Sequence, residues 1–374
     1  MDFSGGLVAA VSAAPGIAGS RRLDKTSPTL AVVVLGPTGS GKTALALELA
    51  ERFGGEIVSC DSVAVYRGLE QGTAKPTVEA RARVRHYLID VTDPDQPFTA
   101  GEYSRQARAA LKDIAERGKL PIVTGGTGLY LRALTEGLFD GPERQEGLRA
   151  RLARSRERHG EPWLHRVLQR LDPASAARIH SNDAAKLMRA IEVCLAGRKP
   201  MSEVLSNQAR ARDPLTGFRL LRIGLNPPRK AFPPREGLPP REGLPPREGL
   251  PPREGLPPPE GLPPREGLYD RLNRRAAAMF AAGLVEETRG LLARFGPVKA
   301  LDSLGYRQAL AVLRGDLTEQ AAIEAAQQGH RNYAKRQLTW FRREPDVHWL
   351  EGFGDQPETL NTAVELVKSA RDLN

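Results

Sequence analysis

Residues Gly36 to Thr43 read GPTGSGKT and match the phosphate-loop pattern G-x-x-x-x-G-K-[ST] at every position. The apolar run Leu30 to Leu35 precedes the motif and reads as a buried strand. After it, Leu45, Leu49 and Phe53 recur at helical spacing. Strand, glycine-rich turn and helix form the context in which this motif is credible. Backbone N–H groups of such a turn face inward. The helix N-terminus adds partial positive charge and Lys42 adds a full one. Gly36, Pro37, Thr38, Gly39, Ser40, Gly41, Lys42 and Thr43 are therefore expected to grip two or more linked phosphates, with the Thr43 hydroxyl offered to a magnesium ion. ATPases, GTPases, small-molecule kinases and some transferases share this device, so the reaction stays open.

From residue 29 to about 138, strand-like and helix-like segments alternate. Glu56 to Cys60 reads as a short strand ending at Asp61. Thr99 and Glu102 form a capping-box signature for a helix that carries Tyr103, Ala107, Leu111 and Ile114 on one face. Gly118 closes that helix, and Leu120 to Thr124 is the next strand. The rhythm predicts an α/β fold with a phosphate-loop NTPase-like parallel sheet flanked by helices. Residues 141–215 lack strand signal, are rich in arginine, and predict a helical insertion. Strand character returns at Phe218 to Leu225. The catalytic core is thus expected in residues 29–140, 216–232 and 269–350. Residues 1–28 are read as a disordered extension and residues 351–374 as a tail with a short helix and a loose end.

Pro233 to Leu268 is six consecutive copies of the hexamer PPREGL, one of them with Pro259 in place of arginine. Two prolines in every six residues exclude an α-helix. The composition suits a solvated, polyproline-like loop. The net charge of +10 suggests a polyanionic partner. Two cysteines, Cys60 and Cys194, make neither a disulfide framework nor a cysteine metal site, and a reducing cytoplasm fits them. No apolar run approaches the roughly 18 to 20 residues a membrane span needs.

Three further segments carry polar chemistry. Residues 61–76 read DSVAVYRGLEQGTAKP, and Asp61 ends a strand on the edge where such sheets hold ligands. Its carboxylate could be a magnesium ligand, a general base or a helix cap. Tyr66, Arg67, Thr73 and Lys75 follow on a loop. Residues 124–130 read TGGTGLY, again between strand and helix, with Thr127 placed to donate to a ligand. Residues 335–343 read KRQLTWFRR on a long helix. There Arg331, Lys335, Thr339 and Arg342 share one face, while Ala334, Leu338 and Phe341 can face the core. Basic residues around Trp340 suit a nucleic-acid backbone with a stacked base, or equally a solvated face with a core-anchored tryptophan.

GPTGSGKT, DSVAVYRGLEQGTAKP, VTDP at Val91 to Pro94, GGTGLYLRAL, the stretch Arg178 to Glu192, LGYRQAL and KRQLTWFR occur here in one order. In that order and spacing they resemble the bacterial tRNA dimethylallyltransferases over about residues 29–350, apart from the hexamer repeat. The resemblance implies transfer of a dimethylallyl group from dimethylallyl diphosphate to N6 of an adenosine beside the anticodon of tRNA, with Mg2+ as cofactor. It assigns Asp61 as the base, with Lys42, Thr43 and Thr127 as further catalytic residues. It implies tRNA contacts at Asp61, Ser62, Val63, Ala64, Thr127 and Arg149. Further contacts are implied at Ala185, Lys186, Leu187, Met188 and Arg189, with Lys186 and Arg189 favoured for the backbone. The remainder are Gly305, Tyr306, Arg307, Lys335, Arg336, Gln337, Leu338, Thr339, Trp340, Phe341 and Arg342. An arginine ahead of the helix at Tyr269 is expected to reach the diphosphate. Arg229, Arg235, Arg241, Arg247, Arg253 and Arg265 compete for that role, and Arg265 is favoured because it adjoins the helix. A monomer without membrane association is expected. The competing readings are an adenylate isopentenyltransferase, a small-molecule kinase and a non-catalytic RNA-binding module.

Overall fold

The computed structural model describes residues 28–139, 141–142, 144–208, 213–228 and 267–373. The N-terminal extension, nearly all of the hexamer repeat and Arg265 lie outside these residues. Six strands form one parallel sheet in the order β3-β2-β4-β1-β5-β6. They are β1 (Thr29–Leu35), β2 (Gly55–Ser59), β3 (His86–Tyr87), β4 (Leu120–Thr124), β5 (Phe218–Leu225) and β6 (Val347–Leu350). β1 is covered on both faces, which is why TLAVVVL runs apolar without alternation. Parallel neighbours need crossovers. In the first half of the sheet these contain α1 (Lys42–Phe53), α2 (Val78–Arg83), α3 (Ala100–Glu116) and α4 (Gly128–Thr135). The register pairs Val34 with Thr124 and Ser59 with Thr124, so β1, β4 and β2 finish at the same edge. Three loops therefore emerge side by side, beginning at Gly36, Gly125 and Cys60.

Alternate residues of the strands feed two cores. Val32, Val34, Ile57, Ile122 and Ile223 pack on α1, whereas Val33, Leu35, Val58 and Val123 pack on α3 and α4. Thr99 caps α3 by accepting from Glu102 N–H at 3.1 Å. The reciprocal half of the box does not form, because the Glu102 carboxylate accepts from Arg105 and Gln106 instead.

After α4 come the insertion helices α5 (Glu146–His159), α6 (Trp163–Leu171), α7 (Pro173–Arg178), α8 (Ala184–Gly197) and α9 (Met201–Gln208). They enclose their own core around Leu164, Leu168, Leu187 and Ile191. Beyond β5 lie α10 (Leu268–Ala281), α11 (Leu284–Phe295), a short 3-10 turn at Lys299–Asp302, α12 (Tyr306–Leu313) and α13 (Glu319–Phe341). Thr318 caps α13 through its side chain. Residues 351–374, expected as a tail with a short helix and a loose end, carry the 16-residue helix α14 (Pro357–Asp372). Its Ala363, Val364, Val367 and Ala370 are buried against the α1 face of the sheet. The stripe is built from small side chains, so its periodicity is faint in the sequence. Tertiary packing rather than propensity holds the helix.

Candidate active site

The three loops at the sheet edge, together with α10 and α13, enclose a cavity of about 780 Å³. α1 starts at Lys42 behind Gly41, with no side chain capping its first turn, so the helix end stays available to an anion. Lys42 Nζ donates to Pro37 C=O at 2.7 Å. Burial, and then the neighbouring Arg275, pull the Lys42 ammonium down to about 7, against the opposing pull of Asp61.

Asp61 Oδ1 accepts from Val63 N–H at 2.8 Å and Ala64 N–H at 3.1 Å. One carboxylate oxygen thus caps the following turn. Oδ2 accepts no hydrogen bond among the described residues, and Asp61 lines the cavity. The cap and the chemical roles are compatible, since they use different oxygens. Thr127 latches this loop to its neighbour: its Oγ1 accepts from Ser62 N–H at 3.0 Å, and its N–H donates to Cys60 C=O at 3.1 Å. Gly125 is glycine for a steric reason, because a Cβ there would lie 2.1 Å from Cys60 O.

Two residues hold the heart of the site: Arg275, which the sequence expectations do not include, and Gln337, which is expected there as a tRNA contact. Arg275 of α10 donates from Nη1 to Thr38 Oγ1 at 3.2 Å, and burial holds its guanidinium below the usual arginine range. It reaches the phosphate loop from the helix itself, while Arg265, favoured for the diphosphate, lies outside the described residues. Gln337 of α13 accepts from Thr38 N–H at 2.7 Å and donates to Gly126 C=O at 2.8 Å. One amide side chain therefore bridges the phosphate loop and the TGGTG loop. The available signal was spacing. Leu272 and Ala276 mark the inner face of α10, which leaves Arg271 and Arg275 one turn apart on the adjoining stripe. His330, 5% exposed, also lines the cavity, and its Nε2 has no hydrogen-bond partner among the described residues.

Several residues expected to meet tRNA are occupied in holding the fold. Leu187 is fully buried in the insertion core, and Leu338 and Phe341 are buried at 2% and 1% exposure, so their side chains cannot meet a ligand. Tyr306 is buried, donates to Glu287 at 2.6 Å and accepts from Gly72 N–H at 3.2 Å. Trp340 packs edge-on against Gly128, where a Cβ would lie 2.2 Å from its indole nitrogen, and Arg132 stands over its ring at 5.1 Å. Trp340 is thus half-buried against the core beneath α3 and α4, with Arg132 over one ring face. Arg149 and Arg189 both bond the buried Glu192, at 3.1 and 2.7 Å. Ala64 is buried and Val63 packs on the core of α10–α13. By contrast Ala185, Lys186, Lys335, Arg336, Thr339 and Arg342 are exposed. Ser62, Arg307 and Arg336 line the cavity, Gly305 caps α12, and Met188 is half-buried. Lys75, 3% exposed, is fastened to Asp90 at 2.5 Å and Glu70 at 2.7 Å, while Arg67 bonds Val91 C=O. Both shape the loop rather than reach for a ligand.

Among the described residues no three carboxylate, imidazole or thiol groups converge as a metal cage. The cavity does present the Thr43 hydroxyl, the Asp61 carboxylate and Thr124, whose Oγ1 is buried without a hydrogen-bond partner among the described residues. This all-oxygen set fits Mg2+, which keeps waters and ligand phosphates in most of its shell.

The family model described as IPP transferase matches residues 64–235 and 259–344. The chain is 58% identical over 345 residues to the tRNA dimethylallyltransferase of Koribacter versatilis, covering 92% of this chain and 100% of the relative. It is 49% identical to the tRNA dimethylallyltransferase of Solibacter usitatus, covering 90% and 97%. Among solved structures, the tRNA isopentenylpyrophosphate transferase of Bacillus halodurans aligns with a TM-score of 0.59 at 31% identity over 92% of this chain and 98% of that one. A eukaryotic dimethylallyltransferase acting on tRNA aligns with a TM-score of 0.66 at 21% identity, covering 92% and 79%, and shares the fold. With a parallel sheet that ends in a phosphate loop, and with relatives matched over nearly its whole length, this chain belongs to the IPP transferase family.

Proposed function

We propose that this protein transfers a dimethylallyl group from dimethylallyl diphosphate to N6 of the adenosine next to the anticodon in tRNA, releasing diphosphate. The observation that carries this reading is a single cavity joining a phosphate-gripping end to a carboxylate. Lys42, Arg275 and the first turn of α1 stand at one end, and Asp61 faces the same space.

The phosphate loop and Arg275 hold the diphosphate as the leaving group. The bond from the allylic carbon to the diphosphate oxygen breaks as the bond from N6 to that carbon forms. Negative charge then develops where Lys42 and Arg275 already point, in a site largely shielded from water. Asp61 takes the proton that N6 loses, using the oxygen left over from the Val63 and Ala64 bonds. Thr127 holds the Asp61 loop at its distance from the phosphate loop. Bound Mg2+, held through Thr43 with Asp61 and Thr124 nearby, would add Lewis-acid neutralisation of the diphosphate.

The acceptor adenosine must leave its stack to reach Asp61. Arg336 and Arg307 at the cavity, with Lys335, Thr339 and Arg342 on the exposed face of α13, supply charge and hydrogen bonds for the tRNA backbone. Lys186 and Ala185 offer an exposed edge on the insertion. We read the protein as a monomer of the reducing cytoplasm, in keeping with two buried free cysteines. No helix among the described residues is long and apolar enough to cross a membrane.

The deciding experiment incubates the protein with labelled dimethylallyl diphosphate and either tRNA or AMP. Label in tRNA is the expected result. Label in AMP supports the free-nucleotide enzyme instead, and label in neither refutes prenyl transfer.

A further inference from the structure

The residues 352–355 join β6 to α14 and lie beyond the residues the family model matches. They touch the phosphate loop directly. Gly354 N–H donates to Ser40 C=O at 2.8 Å. The two backbones are close enough to exclude side chains. A Cβ on Gly41 would lie 2.7 Å from Gly354 N, and one on Gly354 would lie 2.5 Å from Gly41 O. Phe353, 1% exposed, is itself tied down by its N–H bond to Gln356 Oε1 at 2.9 Å.

The same segment governs an arginine of the cavity wall. The Arg271 guanidinium lies over the Phe353 ring at 3.7 Å from its centroid. Asp355 meets Arg271 Nη1 with both carboxylate oxygens, at 2.8 and 2.9 Å. A guanidinium on a flexible stem has many rotamers, and a ring beneath it with a carboxylate beside it selects one. Arg271 lines the cavity one helical turn from Arg275.

We propose that Phe353–Asp355 is a strap that fixes the phosphate-loop turn and presents Arg271 to the diphosphate, with Asp355 as a positioning residue. The inference rests on the diphosphate reading above. Asp355 also carries a charge of the ligand's own sign. Its side chain is 44% exposed, so solvent screens that charge while the contact geometry persists, and orientation outweighs repulsion.

The test measures inorganic pyrophosphate affinity by calorimetry, with Mg2+ present, on the full chain and on Asp355→Asn, Arg271→Ala and the double variant. KM for dimethylallyl diphosphate and affinity for tRNA are measured on the same proteins. Asp355→Asn is expected to weaken pyrophosphate roughly fivefold and to raise KM by a similar factor, with kcat and tRNA affinity unchanged. In the Arg271→Ala background it is expected to add nothing, because both changes remove one coupled interaction. Gly354→Ala, which pushes the strap off the loop, is expected to weaken pyrophosphate while tRNA affinity, the check on folding, stays at the wild-type value. Unchanged or tighter pyrophosphate binding in Asp355→Asn overturns the proposal, as do additive effects in the double variant. A wild-type protein that binds pyrophosphate yet transfers no dimethylallyl group refutes the proposed function alone and leaves the strap readable in the affinities.

Discussion

Lys42 supports a quantitative prediction about diphosphate binding. In the free protein its ammonium titrates at about 7, because burial and then Arg275 disfavour the charge. At pH 8 only about one molecule in ten then carries a charged Lys42. A diphosphate brings several negative charges beside the amine and restores the charged form, so binding must draw a proton from solution. The uptake owed to Lys42 is about 0.9 proton at pH 8, about 0.5 at pH 7 and about 0.1 at pH 6. Titration calorimetry with dimethylallyl diphosphate, run at each pH in two buffers of different ionisation enthalpy, reads this number directly. Lys42→Arg is the control. Its guanidinium stays charged throughout, so it keeps the electrostatic contact and subtracts any proton the ligand itself releases. A proton count identical in wild type and Lys42→Arg at pH 8 refutes the reasoning, and so does a wild-type difference that does not grow from pH 6 to pH 8.

Other consequences can be checked with single variants. Asp61→Asn keeps the oxygen that caps the turn at Val63 and Ala64. It should fold and bind tRNA normally while losing roughly 10²- to 10⁴-fold in kcat, and full activity would remove Asp61 as the base. Glu192 is pushed upward by burial, but bonds from Arg149, Gln145 N–H and Arg189 outweigh this and hold it at about 2. The stability it contributes is therefore present above the ordinary carboxylate value of 4.5 and is lost as pH falls towards 2. Glu192→Gln should cost about 3 kcal/mol at pH 7, and the gap to wild type in thermal melts should narrow below pH 4.5. His330 behaves in the opposite sense to a paired histidine. Burial and then Arg275 hold it down to about 4, so protonation in the unfolded chain erodes stability as pH falls from the ordinary histidine value of 6.5 towards 4. His330→Leu should flatten that part of the stability profile, and an unchanged profile would show that the ring is not a buried neutral group. Val367→Ala in α14 should lower stability by about 2 kcal/mol, and an unchanged melting temperature would mean that the helix does not close the sheet.

Much of the architecture is legible along the chain because it follows from local rules. The strand at Leu30 to Leu35, the turn after it and the helix from Lys42 are a contiguous unit with its own chemistry. Phe218–Leu225 and Val347–Leu350 stand out as β-rich runs between helices. Asp61 is legible as a strand-end carboxylate, although its double use of one oxygen for a cap and the other for the cavity is a matter of three-dimensional geometry. The basic helix 335–343 is legible as a charged face. What the pattern could not separate is which members of a motif face a ligand and which hold the motif in place. Leu338, Phe341, Trp340, Tyr306 and Leu187 sit within functional motifs, yet all pack inward. Arg149 and Arg189 look like phosphate-binding arginines, yet both neutralise Glu192.

By itself, the sequence determined the phosphate grip, the parallel α/β class and the placement of a carboxylate at the neighbouring strand end. Each of these is written in a few adjacent residues whose spacing and chemistry suffice. Only the tertiary structure decided that Arg275 and Gln337 close the phosphate loop, and that the segment after β6 braces it. Gln337 lies 299 residues from Thr38, and Arg275 lies 237 away. Contacts across such separations depend on how α10 and α13 pack over the sheet edge, and no local periodicity encodes which side chain of an inward-facing stripe ends beside which loop.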